Sequence, residues 1–374
     1  MKINDFKLER YFAKHEFTAK YLLSSSDCDA YSLKDVLRIA SKDEIKLWNN
    51  LKLGYTESEG NSILRESISR YYKNVTIQNI IVASPGELNY ITMNVLLNAT
   101  DHVITIAPSY QSLYEVVNSI GCEISYWKPN PMNWKFDPNK LESLIKKNTK
   151  LLIINFPHNP TGSYLKPHEL SKIIEIARKN NIYIFSDEMY HKLITNDYEE
   201  LSPISDLYEK GISLWGTSKS FGLAGLRTGW IVSQDKRLLN KVLAYKDYLS
   251  ICNSATSEIL SIIALNNIEK FLIPNIKKIK KNLYLFNKFV NKHNSLFEFT
   301  PPKAGSTAFV KLNIKDTSFQ FSNTLIEKTR IMTLPAEMFE YPGKYIRIGF
   351  GRENFPQVLE VFDRFLKNYQ QTNL

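Results

Sequence analysis

Between residues 78 and 234 the sequence alternates short apolar runs with helical patterns, and this alternation limits the possible fold more than any other feature. The apolar runs read IQNIIVAS, DHVITIAP, EISYW, TKLLIINF, NIYIFSDE, GISLWGTS and LRTGWIVS, and they predict strands. Stretches such as LYEVVNSIG and HELSKIIEIARKN lie between them and predict helices. Strands joined by crossover helices are typical of a mostly parallel sheet flanked by helices, so we predict an α/β fold.

The length of 374 residues suits a large domain with a smaller one attached. After about residue 270 the pattern changes to basic helices, then short strands around STAFVKLNI and KYIRIGFG, then a final helix. We predict that residues 51–270 form the large domain and residues 271–374 a small α+β domain. Residues 1–50 are expected to contribute to the small domain.

The net charge of +10 raises the question of nucleic-acid binding. The densest basic stretch is NIKKIKKNLYLFNKFVNKH, in which apolar residues recur at steps of three and four and form one helical stripe. Its lysines lie mostly off that stripe, which indicates an ordinary solvated helix face. No nucleic-acid-binding motif accompanies the charge, so we expect no nucleic-acid partner.

No run of about 18 apolar residues is present, and the amino terminus lacks the apolar segment of a secretory signal. The cysteines, Cys28, Cys122 and Cys252, are scattered without paired spacing, which is typical of free thiols in the cytoplasm and predicts no metal site. We therefore expect a cytoplasmic protein with no membrane contact. Among the histidines, His102 and His168 begin predicted elements, and we expect them at the surface or at caps.

Polar and small residues follow the predicted strands. PHNPTG follows LLIINF, SDEMY follows IYIF, TSKSFG follows ISLWG, PGEL follows IIVAS and APSY follows HVITI. Ligands of parallel α/β sheets bind where the carboxyl ends of the strands meet helix amino termini. These motifs are therefore expected to meet at one edge of the sheet.

This combination of groups is the one that pyridoxal phosphate requires. Lys219 offers an amine for the aldehyde, and Asp187 offers a carboxylate that keeps the pyridine nitrogen protonated. The other candidates are Asn159 and Tyr190 for the ring hydroxyl, Tyr110 for the ring face, and Gly86, Glu87, Leu88 and Arg227 for the phosphate.

Four motifs, NFPHNPTG, SDEMY, SKSFGLAGLRTGW and YIRIGFGR, resemble those of class I/II aminotransferases, which are pyridoxal-phosphate enzymes of fold type I. Their order and spacing extend the resemblance over nearly the whole chain. It implies an enzyme that moves an amine from an L-amino acid to a 2-oxo acid, and a homodimer with shared active sites.

The resemblance also implies a role for each matching residue. Lys219 would form the Schiff base and shuttle the proton, with Asp187 and Tyr190 as the other catalytic residues. Arg347 would bind the substrate α-carboxylate beside Asn159. The cofactor would be held by Gly86, Glu87, Leu88, Tyr110, Asn159, Asp187, Tyr190, Ser218, Lys219 and Arg227, together with Tyr55 from the neighbouring subunit.

Two segments depart from the family pattern. Many relatives carry a serine where this chain has Gly216, so one phosphate hydroxyl is expected to be missing. The amino-terminal loop reads LLSSSDCDAYSL in place of the usual glycine-containing loop, so the sequence leaves the substrate-facing loop unidentified.

Two alternatives to transamination remain at this point. The amino-terminal and KDYLSICNS segments resemble a branch that includes arginine oxidases, hydroxylases and capreomycidine synthase, which use the same imine chemistry without amine transfer. A binding protein or regulator that kept the fold and lost the chemistry is the second alternative. The sequence leaves the amino acid and the oxo acid unidentified.

Overall fold

The structure is a computed structural model that describes residues 2–195 and 198–373. The strands are β1 (Tyr21–Leu22), β2 (Ile80–Ala83), β3 (His102–Ile106), β4 (Glu123–Trp127), β5 (Thr149–Asn155), β6 (Tyr183–Asp187), β7 (Gly211–Gly216), β8 (Gly229–Ser233), β9 (Phe297–Glu298), β10 (Thr307–Leu312), β11 (Ile331–Met332), β12 (Leu334–Pro335) and β13 (Tyr345–Gly349). The helices are α1 (Lys7–His15), α2 (Leu33–Ile39), α3 (Lys42–Asn49), α4 (Ser62–Ser69), α5 (Pro85–Leu96), α6 (Ser112–Ile120), α7 (Pro167–Lys179), α8 (Ile204–Leu207), α9 (Lys236–Lys246), α10 (Ala255–Asn266), α11 (Ile268–Lys292), α12 (Ser318–Thr329) and α13 (Phe355–Asn373).

The large sheet has the strand order β2-β8-β7-β6-β5-β3-β4. Strands β7, β6, β5, β3 and β4 are parallel, whereas β8 runs antiparallel to both of its neighbours. Strands β3, β5, β6 and β7 are mostly apolar and buried because helices pack against both faces of the sheet, whereas only Trp127 of the edge strand β4 is buried. The predicted α/β fold, with a mostly parallel sheet between helices, is confirmed.

The strand register brings the ends of neighbouring strands together. Asn155, the last residue of β5, pairs with Asp187, the last residue of β6, and Asp187 pairs with Leu214 of β7. Strand β2 points the same way as β7, because β8 lies antiparallel between them. Helix α5 therefore begins at the edge where the parallel strands end.

A second, antiparallel sheet has the order β12-β13-β10-β9, and β1 pairs with β11 in a separate two-stranded parallel sheet. Residues 21–22 of the amino-terminal segment pair with residues 331–332 of the carboxyl-terminal part. Helices α2 and α3, however, pack against α10 beside the large sheet. The predicted boundary after residue 270 falls near the start of α11, and the division into domains stays a prediction.

Helix α11 carries the basic stretch. Ile279, Phe286 and Val290 are buried along one side, whereas Lys280 and Lys281 are exposed. The expected solvated lysine face is confirmed.

The expectation for His102 is wrong. This residue begins β3 as predicted, but it is fully buried, and its ring nitrogens lie 2.7 Å from Thr149 Oγ1 and 2.9 Å from Ser125 Oγ. Hydroxyl groups on the two neighbouring strands therefore provide hydrogen-bond partners for both ring nitrogens of a histidine that we expected at the surface or at a cap. His168, in contrast, is exposed in the first turn of α7.

Across the described residues, no single helix has both the length and the apolar character for a membrane crossing. Helices α10 and α11 meet that test only together, as a pair bent by 75°.

Candidate active site

A cavity of about 440 Å³ lies where the carboxyl ends of the parallel strands face the amino-terminal segment. It brings together most of the residues that the sequence predicted for the site. Those that line it are Gly86, Tyr110, Asn159, Asp187, Tyr190, Ser218, Lys219, Arg227 and Arg347. Glu87, Leu88 and Tyr55 are not among its lining residues.

Lys219 and Asp187 reach the cavity from neighbouring strands. Lys219 follows the end of β7, and its Nζ donates a hydrogen bond of 3.1 Å to Ser26 Oγ. Asp187 ends β6, and one of its carboxylate oxygens accepts the backbone N–H of Met189 at 3.1 Å. Burial raises the pKa of the Asp187 carboxyl to about 6, against the opposing effects of the Met189 hydrogen bond and the positive charge of Lys219. A cationic group beside this carboxylate would stabilise its ionised form.

Arg347, on β13, is a buried cation that also lines the cavity, with 2% of its surface exposed. Its Nε and one terminal nitrogen donate to the Ser24 carbonyl at 3.1 and 2.9 Å, and the other terminal nitrogen donates to Asn159 Oδ1 at 3.0 Å. A guanidinium has five N–H donors. Two therefore remain, one on each terminal nitrogen, which is the arrangement that binds a carboxylate through two parallel hydrogen bonds.

The amino terminus of α5 and the segment after β7 bring hydrogen-bond donors to the cavity. The Leu88 N–H donates to the Ser84 carbonyl at 3.0 Å, so the amides of Gly86 and Glu87, which precede it, have no acceptor within the helix. Ser218 Oγ is buried and has no hydrogen-bond partner among the described residues. Arg227 also lines the cavity. Because its amide is used within the helix, Leu88 fits the predicted phosphate site less well than Gly86 and Glu87.

Gly216, the departure from the family pattern, occupies a position without room for a side chain. A Cβ there would lie 2.8 Å from the Thr228 carbonyl oxygen and 2.9 Å from the Gly229 Cα. The antiparallel pairing of β7 with β8 holds these atoms in place, since Gly216 pairs with Gly229. A serine could be accommodated only if the two strands moved apart.

Two tyrosines line the cavity as predicted. Tyr110 donates its phenol to Glu9 Oε1 at 2.6 Å, and its ring centroid lies 5.0 Å from that of Phe6. Burial, followed by the nearby charge of Glu9, holds the pKa of the Tyr110 phenol well above its usual range. Tyr190 is almost fully buried three residues after Asp187. Tyr55, in contrast, is 89% exposed.

The sequence interpretation missed the contribution of helix α1 and left undecided which residues of the loop after β1 face the site. Leu8, Glu9 and Phe12 of α1 line the cavity, as do Glu16 and residues 25–27. The Phe12 ring lies 5.8 Å from the guanidinium carbon of Arg347. Charged and apolar residues alternate in the first seventeen residues, but nothing in that pattern indicates which distant residues this segment covers.

Comparison with known proteins decides the family. The sequence model described as "Aminotransferase class I and II" matches residues 18–362. The chain belongs to the class I and II aminotransferases. The resemblance stated from the sequence motifs is thereby confirmed.

The relatives of this aminotransferase include enzymes of more than one kind. An aspartate aminotransferase of Pyrococcus horikoshii is 32% identical over 84% of this chain and 82% of its own length. A PLP-dependent aminotransferase from Streptococcus suis shares the fold with a TM-score of 0.91 and 28% identity, over 98% of this chain and 99% of that one. A capreomycidine synthase of Streptomyces vinaceus is 24% identical over 73% of this chain and 70% of its own length. The Pyrococcus relative and the family model support aminotransferase function, the first of the predictions.

The residues of this aminotransferase fit pyridoxal phosphate, the cofactor that the family implies. Ser218 Oγ is a buried hydroxyl without a partner, and the free amides of α5 provide further donors at the same cavity. Asp187 is a buried carboxyl whose ionised form needs a neighbouring cation, which a protonated ring nitrogen supplies. Within the described residues no group of three or more His, Cys, Asp or Glu side chains could hold a metal ion.

Proposed function

We propose that this chain transfers the amino group of an L-amino acid to a 2-oxo acid with pyridoxal phosphate bound through Lys219. The observation that carries the proposal is that an amine, a buried carboxylate and a buried guanidinium, from Lys219, Asp187 and Arg347, line one cavity. When bound, pyridoxal phosphate supplies an aldehyde that condenses with amines and a pyridine ring that accepts electrons from the substrate α-carbon.

The protein residues divide the remaining tasks. Arg347 binds the α-carboxylate through its two free N–H donors, and Ser24 and Asn159 fix the orientation of its guanidinium. Lys219 is the amine available to bind the aldehyde carbon and, once released from it, the base that takes the α-proton of the substrate. Asp187 keeps the ring nitrogen protonated, which makes the ring a better electron acceptor.

The cofactor would be held at three places. Its phosphate would receive hydrogen bonds from the amides of Gly86 and Glu87, from Ser218 and from Arg227. Its ring hydroxyl would lie near Tyr190 and the amide nitrogen of Asn159, since the amide oxygen of Asn159 is occupied by Arg347. Tyr110 would cover one face of the ring.

We also propose that the enzyme is a homodimer, in which Tyr55 of one copy completes the phosphate site of the other. The side chain of Tyr55 is 89% exposed, and Leu53, close to it in sequence, is 85% exposed, so both are available for contact with a second copy. A cytoplasmic location remains part of the proposal, and the free thiols of Cys28, Cys122 and Cys252 are compatible with it.

The test is a two-step reaction with purified holoenzyme. In the first step an amino acid alone should change the absorbance of the cofactor and release one equivalent of 2-oxo acid. In the second step a different 2-oxo acid should restore the original spectrum and yield the corresponding amino acid. Turnover that consumes oxygen and needs no 2-oxo acid would contradict amine transfer and favour the oxidase or hydroxylase alternative.

A further inference from the structure

The part of the cavity that faces the amino-terminal segment carries three carboxylates. Glu9 lies on α1, Glu16 follows the end of that helix, and Asp27 lies in the loop after β1. The charges of Glu9 and Asp27 act on Arg347, and those of Lys219 and Arg352 act on Glu16. The three carboxylates therefore lie around the space between the α-carboxylate site and the reactive amine.

These carboxylates differ in how far their charge is already compensated. Asp27 forms an ion pair of 3.0 Å with Arg352. Glu9 accepts a hydrogen bond from the Tyr110 phenol, which is a neutral donor and does not compensate the negative charge of the carboxylate. Glu16 has neither a hydrogen bond nor an ion pair through its side chain in the described part of the chain. Burial, then the charges of Asp27 and Glu9, raise the pKa of the Glu16 carboxyl.

The cations that line the cavity have other partners in the proposed reaction. Arg227 faces the phosphate end, Lys219 binds the aldehyde, and Arg347 binds the α-carboxylate. When the cofactor and the backbone of an amino acid are in place, Arg352 acts on Glu16 only from a distance, and neither Glu9 nor Glu16 has an ion-pair partner among the described residues. An acidic side chain at this point would meet carboxylates instead of a free cation.

A separate observation concerns a buried hydroxyl that lines the same cavity. Ser25 is 2% exposed and lines the cavity, and its Oγ is buried without a hydrogen-bond partner among the described residues. Buried hydroxyls are nearly always hydrogen-bonded in proteins. An N–H donor brought by the substrate would satisfy this oxygen, whereas an aliphatic side chain would leave it unsatisfied.

We propose that the amino donor carries a cationic nitrogen group, a guanidinium or an ammonium, at the end of its side chain, and that Glu16 and Glu9 bind that group while Ser25 Oγ accepts one of its N–H donors. This inference rests on the proposed aminotransferase function. The proposed donor differs from the one in the name of the Pyrococcus relative, because aspartate carries an acidic side chain.

The first experiment compares donors of matched shape and different charge on the holoenzyme. Arginine is paired with citrulline and lysine with norleucine, and aspartate is the acidic donor. We expect kcat/KM for at least one cationic donor to exceed that of its neutral match by about 10- to 100-fold, the contribution of one charge-assisted hydrogen bond. Preference for arginine indicates a guanidinium site and preference for lysine an ammonium site. Equal rates within both pairs, or a preference for aspartate, would overturn the proposal.

The second experiment assigns the preference to the carboxylates. Glu16→Gln keeps the shape of the side chain and removes its charge, and Glu175→Gln, on the exposed side of α7, is the matched control. We expect Glu16→Gln to lower the ratio of kcat/KM for the preferred cationic donor to that for its neutral match by about tenfold or more. For the cationic donor, Glu16→Gln should raise KM and the apparent Kd from spectral titration. Glu9→Gln should lower the same ratio, and Glu175→Gln should not change it.

An unchanged ratio in both Glu16→Gln and Glu9→Gln would show that these carboxylates do not select the donor. This result differs from failure of the aminotransferase function itself. In that case the wild-type holoenzyme would transfer no amine from any donor to a 2-oxo acid, and would either show no spectral change with any donor or turn over with oxygen alone.

Discussion

Replacement of Arg347 tests the proposed α-carboxylate site quantitatively. Three of its five N–H donors bind Ser24 and Asn159, and the other two are free for the substrate. A hydrogen bond to a charged group contributes about 1.5–3 kcal/mol, so two of them contribute about 3–6 kcal/mol. Arg347→Met should therefore lower kcat/KM by about 10²- to 10⁴-fold, at about 1.4 kcal/mol for each factor of ten.

Arg347→Lys is the more informative variant, because it keeps the charge and loses the planar pair of donors. We expect a loss of about 10- to 100-fold in kcat/KM, since about one of the two hydrogen bonds is retained. The assay follows the cofactor absorbance in single turnovers with a saturable amino donor. The control substrate is the primary amine that has the same side chain without the α-carboxylate, and its slow reaction should change little.

Because Arg347 also holds Ser24 and Asn159, each variant must first be shown to fold and to bind the cofactor, by thermal unfolding and by the absorbance of the holoenzyme. If folded, cofactor-loaded Arg347→Lys lost less than about threefold in kcat/KM, the guanidinium would not bind the α-carboxylate through two hydrogen bonds, and the reasoning would be refuted.

Further predictions concern the cofactor site and the dimer. Burial raises the pKa of Asp187 to about 6 in the folded protein. As pH rises from about 4 to about 6, the free energy of unfolding of the cofactor-free protein should therefore fall by about 3 kcal/mol, at 1.36 kcal/mol per pKa unit. Cofactor-free Asp187→Asn should thus be more stable than wild type in urea unfolding at pH 7 and similar at pH 4; lower stability at pH 7 would contradict this. Ser218→Ala removes a buried hydroxyl without a partner, so the cofactor-free protein should not be destabilised in urea unfolding, while the Kd for pyridoxal phosphate should rise about tenfold. Tyr55→Phe should leave a dimer in sedimentation and weaken pyridoxal phosphate binding about tenfold, the effect of one hydrogen bond to a charged group; a wild-type holoenzyme that sediments as a single chain would exclude the shared site.

The sequence predicted the sheet and the site residues at its edge for a physical reason. Strands buried on both faces are continuous apolar runs, as in LLIIN before Asn159 and YIF before Asp187, and their polar endings mark the ligand edge of a parallel sheet. Lys219 and Asp187 could therefore be placed together without coordinates, whereas Arg347, on the other sheet, was assigned to the site only through the family resemblance.

The role of the amino-terminal segment could not be predicted in this way. Glu9 bonds Tyr110 across 101 positions of sequence, and Asn4 and Lys7 bond Glu115 and Gln111 across similar separations. Such contacts depend on tertiary packing, which local periodicity does not specify. The error for His102 has the same origin, because its partners come from two other strands.

The central claim is that the Lys219 amine binds the cofactor, and covalent mapping tests it most directly. The holoenzyme is reduced with borohydride, which fixes a cofactor bound to an amine, then digested and analysed by mass spectrometry. The account predicts one pyridoxyl-phosphate group per chain, on Lys219. A stoichiometric label on another lysine, with Lys219 unmodified, would contradict it.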